Sequence, residues 1–336
     1  MLRPPKSWNF NTHFDHAVEH DWYRLVNLLK ANIYFLTNDF YKSKKFFPAL
    51  LPITCSAVSS PMGLGSDSLP VKIKLFGEET FLADSMQFHL EYMLRQGMPG
   101  VFYIMQSFRG EMHDERHLNQ FIHSEAEIFG GYEDVLQLVE DYLLYLILGL
   151  VRELADRLEE EIGDISHIYG VLEMLKNNKV PRITFEEATQ ILGNDNVYYS
   201  DHGDGIRSLT PLGEKELLSK FPVLWLTHPD RRSVPFYQAY DPDGFSSKSA
   251  DLLLGIGEIV GCGERHRGHE ETLFALKEHN VSVEEYAWYL DMKRKYPIQT
   301  AGFGLGVERL ILWLLKHDDI RDIPFINRLK GTINVP

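Results

Sequence analysis

Short strand candidates separated by tight turns, without a regular alternation of strands and helices, constrain the fold of this chain most. The strand candidates are residues 71–75, 100–108, 120–129, 223–227, 236–240, 249–254, 258–260 and 301–305. Several of the intervening turns are too short to hold a crossover helix, so the strands that they join are expected to pair antiparallel. Because long helical segments lie outside this set, the order of elements predicts an α+β fold in which an antiparallel sheet is flanked by helices.

The helical segments are recognised by apolar residues that recur at intervals of three and four. The segments are residues 21–41, 133–161, 185–192 and 305–315. In the first segment, Trp22, Leu25 and Leu29 have the spacing of one helix face. The third segment is expected to end at Gly193, since glycine commonly follows the last residue of a helix.

Length and turn composition bear on domain organisation. A chain of 336 residues allows one large domain or two ordinary ones. We find no internal repeat and no linker rich in glycine and serine, so a single domain over residues 1–336 is expected. Residues from about 163 to 207 contain turn-rich stretches at 193–196 and 201–205, and we interpret this segment as an insertion.

Charge and cysteine content narrow the possible partners and the cellular compartment. The net charge is −14, from 34 Lys and Arg against 48 Asp and Glu, which weighs against nonspecific binding to nucleic acid but allows a small basic pocket. No run of about 18 apolar residues is present, so no membrane partner is expected. Two cysteines, Cys55 and Cys262, suit a reducing compartment, and the cytoplasm is predicted.

The first group of candidate site residues lies on a predicted hairpin. One strand leads into Phe108-Arg109-Gly110-Glu111, and the return strand alternates Phe121, His123, Glu125 and Glu127 on one face. Arginine suits phosphate oxygens, an aromatic ring can stack on a base, and a carboxylate can hold an ammonium group. An edge hairpin with surface ion pairs, each worth about 0–1 kcal/mol, explains the same pattern equally well.

The second group combines alternating glycines with an arginine. Gly302, Gly304 and Gly306 alternate along a predicted strand, and Arg309 follows in the first turn of a helix. Glycine in a strand allows another surface to approach the backbone closely. The spacing is GxGxG rather than GxGxxG, so a dinucleotide-binding motif is not supported. A strand packed under a helix is the simpler alternative, but it leaves Arg309 unexplained.

The third group is an acidic pair. Asp251 and Glu258 lie seven positions apart, across the turn Gly255-Ile256-Gly257. Facing strands would bring the two carboxylates together, and Mg²⁺ usually binds one or two carboxylates together with substrate phosphates. Two ordinary carboxylates at strand ends are an equally good interpretation of this pair.

Together the three groups resemble the signature motifs of class II aminoacyl-tRNA synthetases, and most closely those of the asparaginyl and aspartyl branch. Residues 108–121 are similar to the second motif, and residues 302–309 are similar to the third. Leu51-Pro52 could be the degenerate first motif, whose proline lies at a dimer interface, so the resemblance implies a homodimer. It extends from about residue 20 to the C-terminus and implies the antiparallel sheet of that class.

The resemblance also implies an ATP site. The residues implied to bind ATP are Arg109, Glu111, Arg116, His117, Phe121 and Arg309. Arg109 would hold the α-phosphate and Arg309 would lie near the γ-phosphate, and both are predicted to be catalytic. Glu111 would contact the adenine, and Phe121 would stack on it. Asp251 and Glu258 would bind Mg²⁺ through the phosphates.

An amino-acid site follows from the same resemblance. Ser85, Gln87 and Glu125 would hold the ammonium group of the substrate, and Arg265 would face a carboxyl or amide oxygen. Glu91 lies where asparaginyl enzymes place a glutamate near the side-chain amide, although a carboxylate on a helix surface is an alternative. The aspartyl enzymes have a lysine at the preceding position, which this chain lacks.

Two departures from the family bear on the acyl acceptor. The full-length synthetases carry an N-terminal OB-fold that reads the anticodon, and no such module is expected here. The turn between Arg109 and Arg116 also looks one residue shorter than usual, and in the family this turn approaches the acceptor end of tRNA. With the acidic net charge, these departures predict that tRNA is not a partner.

Several functions remain open at this point. The leading hypothesis is an AMP-forming ligase that resembles the archaeal-type asparagine synthetases, in which ATP activates aspartate as an acyl-adenylate and ammonia attacks it. The alternatives are a stand-alone enzyme that charges a tRNA or carrier, an enzyme that activates asparagine in a specialised pathway, and a non-catalytic regulatory paralogue. The complete set of ATP and metal residues argues against the last.

Overall fold

Ten α-helices and three β-sheets form the part of the chain that the structure describes. The computed structural model describes residues 2–5, 10–60, 65 and 68–332, with only the backbone for residues 10–12. The helices are α1 (Phe10–Glu19), α2 (Asp21–Ser43), α3 (Gln87–Leu94), α4 (Tyr132–Ile162), α5 (Ser166–Lys176), α6 (Phe185–Leu192), α7 (Pro211–Lys220), α8 (His269–Glu278), α9 (Ala287–Lys295) and α10 (Val307–Leu314).

The largest sheet has eight strands and is mainly antiparallel. The strands of the chain are β1 (Phe47–Pro48), β2 (Thr54–Cys55), β3 (Val71–Leu75), β4 (Glu78–Leu82), β5 (Gly100–Phe108), β6 (Gln120–Phe129), β7 (Arg182–Thr184), β8 (Tyr199–Asp201), β9 (Arg207–Leu209), β10 (Val223–Thr227), β11 (Ser249–Leu254), β12 (Gly257–Glu264) and β13 (Thr300–Gly306). The large sheet has the order β1-β5-β6-β13-β12-β11-β10-β7, and its parallel pairs, β1 with β5 and β7 with β10, lie at the two edges. The predicted α+β fold is confirmed.

The longest helices cover one face of this sheet. Apolar side chains of α2, α4 and α10 share a core with inward-facing residues of the central strands, including Ala126 and Ile128 of β6. The hydroxyl of Tyr142 lies 2.7 Å from Thr37 Oγ1 and 2.8 Å from Ser124 Oγ, so a buried hydrogen-bond chain joins α2, α4 and the sheet. Because side chains alternate along β6, Glu125 and Glu127 face the opposite side, where the candidate site lies.

Local signals explain the helix ends that the sequence predicts. The side chain of Thr184 accepts a hydrogen bond from the Glu187 backbone amide, and the Glu187 side chain accepts one from the Thr184 amide, so α6 begins with a capping box. The helix ends before Gly193, whose φ of 74° lies in the left-handed region that glycine adopts readily.

Two sequence predictions of secondary structure are wrong. Residues 236–240 form turns with isolated bridges from Gln238 to Arg265 and from Tyr240 to Ser247, not a strand. The last helix begins at Val307, two residues later than predicted, because Leu305 and Gly306 continue β13 and pair with β6.

The predicted insertion contributes to the sheet. Residues 163–207 include α5, α6, the small β8–β9 hairpin and β7, and β7 pairs with β10 at the edge of the large sheet. The interpretation of this segment as an insertion stays a prediction, as does the single-domain organisation. None of the helices in the described residues combines the length and the apolar composition that crossing a membrane requires.

Candidate active site

A cavity of about 250 Å³ brings together side chains from the hairpin, β12 and α10. Arg109 and Phe121 come from the β5–β6 hairpin, Glu258 from β12 and Arg309 from the first turn of α10. Two further residues predicted to bind ATP, Arg116 and His117, also line it. Arg109 and Arg309, which are 200 positions apart in sequence, therefore open onto one cavity, as the sequence predicts.

Some donor groups of the hairpin arginines have no partner among the described residues. Arg109 Nε, Arg116 Nε and Arg116 Nη1 are buried without a hydrogen-bond partner in the described part of the chain. The guanidinium carbon of Arg109 lies 5.6 Å from the centroid of the Phe121 ring. Buried donors without partners are costly, so this wall suits a ligand that supplies anionic oxygens beside an aromatic surface.

Arg309 is held by β12, the strand that carries Glu258 of the acidic pair. Its Nη1 donates a hydrogen bond of 2.6 Å to the Glu258 backbone oxygen and lies 3.7 Å from Glu258 Oε2. Burial and the nearby charge of Arg116 lower the pKa of Arg309, although Glu258 opposes them. Positive charge is therefore concentrated in the cavity before any ligand binds.

The acidic pair lies beside this positive charge. A Cβ at Gly261, the residue opposite Asp251 on β12, would lie 3.0 Å from Glu258 Oε1 and 3.6 Å from Asp251 Oδ1, so the two carboxylates meet over a glycine. Burial raises the pKa of Asp251 well above its usual range, and the charges of Glu258 and Glu214 raise it further. A cation would relieve this repulsion, and carboxylate oxygens are the donors that Mg²⁺ prefers.

The acidic pair does not form a complete metal site. No group of three or more His, Cys, Asp or Glu side chains that could hold a metal ion occurs among the described residues. Glu214, which comes from α7, contacts the Arg116 guanidinium through the same oxygen that accepts a 3.3 Å hydrogen bond from the Glu258 amide. Asp251 and Glu258 would need phosphate oxygens to complete the coordination shell of a cation.

Glu111 and His117, which also belong to the predicted ATP set, are held by neighbouring groups. Glu111 Oε1 accepts a 3.0 Å hydrogen bond from the Leu69 amide, while Oε2 is buried without a partner in the residues described. His117 Nδ1 lies 2.8 Å from Asp114 Oδ1, and burial together with Arg309 lowers the pKa of His117. Glu111 is not among the residues that line the cavity.

Glu125 organises the neighbouring part of the site. Its Oε2 accepts a 2.6 Å hydrogen bond from Ser85 Oγ and a second from the Tyr103 hydroxyl, and its Oε1 lies 3.0 Å from His123 Nδ1. Burial alone would raise the pKa of Glu125, but hydrogen bonds, led by that from His123, lower it. The carboxylate is therefore held ionised at the position predicted to hold an ammonium group.

Arg265 occupies the centre of a buried polar cluster. It donates hydrogen bonds of 2.5 Å to Glu127 Oε1, 2.9 Å to Gln238 Oε1 and 3.0 Å to Gln87 Oε1. Its guanidinium carbon also lies 5.1 Å from the ring centroid of Tyr237. Gln87 and Arg265, both predicted to bind substrate, are thus in direct contact.

Glu91 is enclosed by partners from the C-terminal half of the chain. Its Oε2 accepts hydrogen bonds of 2.5 Å from Lys293 Nζ and 3.1 Å from Thr300 Oγ1, and its Oε1 accepts one from the Tyr289 hydroxyl. Burial alone would raise the pKa of Glu91, but the charges of Lys293 and Arg95 lower it. Glu91 is fully buried rather than exposed on a helix surface.

The alternating glycines of β13 make room for the carboxylates of β6. A Cβ at Gly302 would lie 2.1 Å from the Glu127 carboxyl carbon, and a Cβ at Gly304 would lie 3.2 Å from Glu125 Oε1. These residues pair directly across the two strands. The prediction that glycine here permits a close approach is confirmed.

The arrangement has counterparts among known proteins. Residues 16–329 match the family described as tRNA synthetases class II (D, K and N). The chain belongs to this family. The asparagine–tRNA ligase of Pyrococcus abyssi is 33% identical over 259 residues, which cover 74% of this chain and 57% of that protein. The asparagine–tRNA ligase of Thermoplasma acidophilum is 28% identical over 310 residues, or 90% of this chain and 69% of that protein.

A solved class II synthetase shares the fold. Asparaginyl-tRNA synthetase from Pyrococcus horikoshii, complexed with asparaginyl-adenylate, superposes with a TM-score of 0.85 at 23% identity. The match covers 96% of this chain and 72% of that one. The resemblance to class II synthetases and the fold it implies are confirmed, and the family is one of ATP-dependent, adenylate-forming ligases, as expected.

Two functional predictions are wrong in the light of these relatives. Ammonia-dependent asparagine synthesis was the leading hypothesis, yet the relatives are named asparagine–tRNA ligases. The prediction that tRNA is not a partner conflicts with the same names. Both predictions rested on the expected absence of an OB-fold, on one turn and on the net charge. A charge summed over a whole chain does not exclude a local basic surface.

Sequence reasoning did not identify several residues of this synthetase site. Lys293 and Tyr289 reach Glu91 from α9, and their spacing of four on one helix was the available signal. Glu127 was placed on the candidate face by its alternation with Glu125 on the return strand, but the sequence analysis gave it no role. Glu214 had no local signal, since only the tertiary fold brings α7 to Arg116.

Proposed function

We propose that this chain activates asparagine with ATP to form asparaginyl-adenylate and transfers the asparaginyl group to tRNA. The observation that carries the proposal is the single cavity shared by Arg109, Phe121 and Arg309, next to the Ser85–Glu125 pair. The names of the relatives supply the amino acid and the acceptor. Because the chain spans 57% of the length of one of these relatives, the complete activity is part of the proposal.

The nucleotide would lie between the hairpin and α10. Phe121 would stack on the adenine and Glu111 would contact its edge, while Arg109 would bind the α-phosphate. Arg116 and His117 would bind further phosphate or ribose oxygens, and Arg309 would lie toward the γ-phosphate. The unpartnered donors of Arg109 and Arg116 support this assignment because phosphate oxygens would satisfy them.

The amino acid would lie on the adjacent part of β6. Glu125, with Ser85 and Gln87 beside it, would hold the ammonium group. Arg265 would face the side-chain oxygen, and Glu91 would act from behind the pocket through its ion pair with Lys293. The buried Glu127 Oε2, which has no hydrogen-bond partner in the described chain, is available to an amide N–H.

In the first reaction a carboxylate oxygen of the amino acid attacks the α-phosphorus, and pyrophosphate leaves with the electron pair. Arg109 and Arg309 supply fixed positive charge where negative charge develops, and such preorganised charge is often the largest catalytic term. Mg²⁺, held by Asp251 and Glu258 with phosphate oxygens, would add positive charge beside the leaving group. No side-chain nucleophile is needed.

The wider organisation of the protein remains part of the proposal. We propose one catalytic domain, a homodimer and a cytoplasmic location. The homodimer is supported by apolar side chains around β1, where Leu50 is 96% exposed and Phe47 and Ile53 are each 47% exposed. The cytoplasm is supported by two buried cysteines, Cys55 and Cys262, that form no disulfide. Light scattering after size exclusion, with a Leu50→Lys variant as comparison, tests the dimer.

Exchange of pyrophosphate into ATP tests the activity. We expect exchange that depends on asparagine, with weaker exchange on aspartate, and charging of an asparagine tRNA transcript. Arg309→Ala should abolish exchange, whereas Arg152→Ala, at a side chain that is 74% exposed, should not change it. Absence of exchange with both amino acids contradicts adenylate formation, and exchange without charging contradicts transfer to tRNA.

A further inference from the structure

One histidine in the cavity has the surroundings of a general base. His123 lies on β6 between Phe121 and Glu125, and it lines the cavity together with Arg109 and Arg309. The proposed function gives it no role. His123 lies on the same face of β6 as Phe121, Glu125 and Glu127, so it belongs to the same surface of the site.

A carboxylate fixes the orientation of its ring. His123 Nδ1 lies 3.0 Å from Glu125 Oε1 and 3.0 Å from Ser107 Oγ. An ionised carboxylate only accepts hydrogen bonds, so the proton of the neutral ring belongs on Nδ1 and the lone pair on Nε2. In the part of the chain that is described, Nε2 makes no hydrogen bond. The ring also packs edge-on against Phe121, with centroids 4.7 Å apart, which restricts its rotation.

Spacing along β6 places this ring at the reacting bond. Neighbours on one strand face are about 6.6–6.8 Å apart, so His123 lies one such step from Phe121 and one step from Glu125. An aminoacyl-adenylate that stacks its base on Phe121 and binds its ammonium group at Glu125 has its acyl-phosphate bond between the two ends. His123 is the titratable side chain of β6 that faces this middle region.

The surroundings of His123 contain charges of both signs. Glu125 faces it from its own strand. The other charged or titratable side chains that line the cavity are Arg109, Arg116, His117, Glu258, Glu308 and Arg309.

We propose that His123 is the general base for acyl transfer, which rests on the proposed adenylate. In this step the oxygen of the acceptor hydroxyl forms a bond to the carbonyl carbon of the adenylate. The bond between that carbon and the phosphate oxygen breaks, and AMP leaves with the electron pair. The hydroxyl proton moves to His123 Nε2, and Glu125 stabilises the resulting imidazolium.

A His123→Asn variant separates the two reactions. Asparagine keeps an N–H donor close to the position of Nδ1 but has no basic nitrogen toward the cavity. We expect single-turnover transfer from the preformed adenylate to asparagine tRNA to fall about 10²–10⁴-fold. Asparagine-dependent pyrophosphate exchange should fall much less, because Glu125 keeps its hydrogen bonds from Ser85 and Tyr103. His202→Asn, at an exposed histidine of the β8–β9 hairpin, is the matched control and should leave both rates unchanged.

The pH dependence of transfer adds a second measurement. Wild-type transfer should slow toward acidic pH, because protonation removes the accepting lone pair, and this acidic limb should be absent from the variant. Equal loss of exchange and transfer, or normal transfer in the folded variant, overturns the role of His123. If the asparagine variant does not fold, His123→Gln is measured in its place with the same criteria.

Failure of the proposed function gives a different result. A wild-type protein that shows no exchange contradicts adenylate formation itself. A wild-type protein that exchanges pyrophosphate but transfers nothing to tRNA contradicts both the acceptor and the role of His123. Normal exchange and charging in the wild type, with normal transfer in His123→Asn, contradicts His123 alone.

Discussion

The two ends of the site differ in how far their polar groups satisfy one another. Around the nucleotide cavity, Arg109 and Arg116 keep buried donors without partners in the described chain. Around the side-chain pocket, both oxygens of Glu91 are occupied, and Arg265 donates to Glu127, Gln238 and Gln87. The first end keeps several unpaired donors, whereas the second is an almost complete network in which Glu127 Oε2 still lacks a partner among the described residues.

This difference implies that the two ends respond differently to substitution. A polar group whose partner is the ligand contributes to binding and catalysis. Its removal should change the free energy of unfolding little. A charged group inside a buried network balances the charges of its partners. Its removal leaves those charges uncompensated. Substitutions at the nucleotide end should therefore reduce activity, and substitutions at the side-chain end should reduce stability.

The largest effect is expected from Lys293→Met. The substitution removes the partner of a fully buried carboxylate, so the free energy of unfolding should fall by about 3–5 kcal/mol, as measured by urea denaturation. Glu91→Gln combined with Lys293→Met should recover part of the loss because no unpaired charge remains. A single variant as stable as the wild type would break the distinction between the two ends.

A comparable effect on activity is expected from Arg109→Lys. Lysine keeps the charge but loses the planar fork, so exchange should fall about 10²–10³-fold. The midpoint of thermal unfolding should stay close to that of the wild type, since Arg109 Nε has no partner to lose within the described residues. Strong destabilisation with little loss of activity would reverse the expected pattern.

A graded series along β13 sharpens the comparison. Gly302→Ala places a methyl group against Glu127 and should destabilise the protein by about 1–3 kcal/mol. Gly306→Ala meets its nearest neighbour, Arg309 Cδ, at an ordinary 3.7 Å and should have little effect on unfolding. Equal effects at the two glycines would show that space is not tighter at the side-chain end.

The smallest effect concerns pH. Burial outweighs the attraction of Arg265 and raises the pKa of Glu127 from 4.5 to about 7. The folded state therefore binds this proton more tightly than the unfolded state, so stability should decrease as pH rises from 4.5 toward 7. Glu127→Gln lacks this proton, so the wild type should lose stability relative to the variant across this window.

A constant difference between Glu127→Gln and the wild type from pH 4.5 to pH 8 would contradict the raised pKa. Arg265→Lys, measured in the same way, distinguishes loss of the ion pair from loss of the titrating group. The Arg265→Lys variant should be less stable than the wild type at every pH, but its stability should change with pH as steeply as that of the wild type.

The sequence predicted those parts of the fold that have strong periodicity. The helices Asp21–Ser43 and Tyr132–Ile162 are long enough for their apolar spacing to be unambiguous. Residues 236–240 misled the prediction because they are mostly aromatic or apolar, yet they lie in a turn, where Phe236 and Tyr237 pack with α8 and α9. Periodicity over five residues cannot distinguish these two environments.

The candidate site was predictable to the extent that its residues form local patterns. Arg109, Phe121 and Arg309 stand in recognisable motifs, and the structure places them around one cavity. Lys293 was not predicted as a site residue because its partner Glu91 is 202 positions away, and no local sequence pattern links the two. The acceptor was mispredicted because net charge does not describe a local surface.

The pairing of β6 with β5 and β13 has a consequence for how function could be lost. Phe121, His123, Glu125 and Glu127 face the ligand only because the strand lies in one register. A slip of a single residue would turn all four toward the helices and present Ile122, Ser124, Ala126 and Ile128 in their place. A protein that slipped in this way could keep its compact shape and most of its secondary structure while every chemical contact with its ligand vanished together.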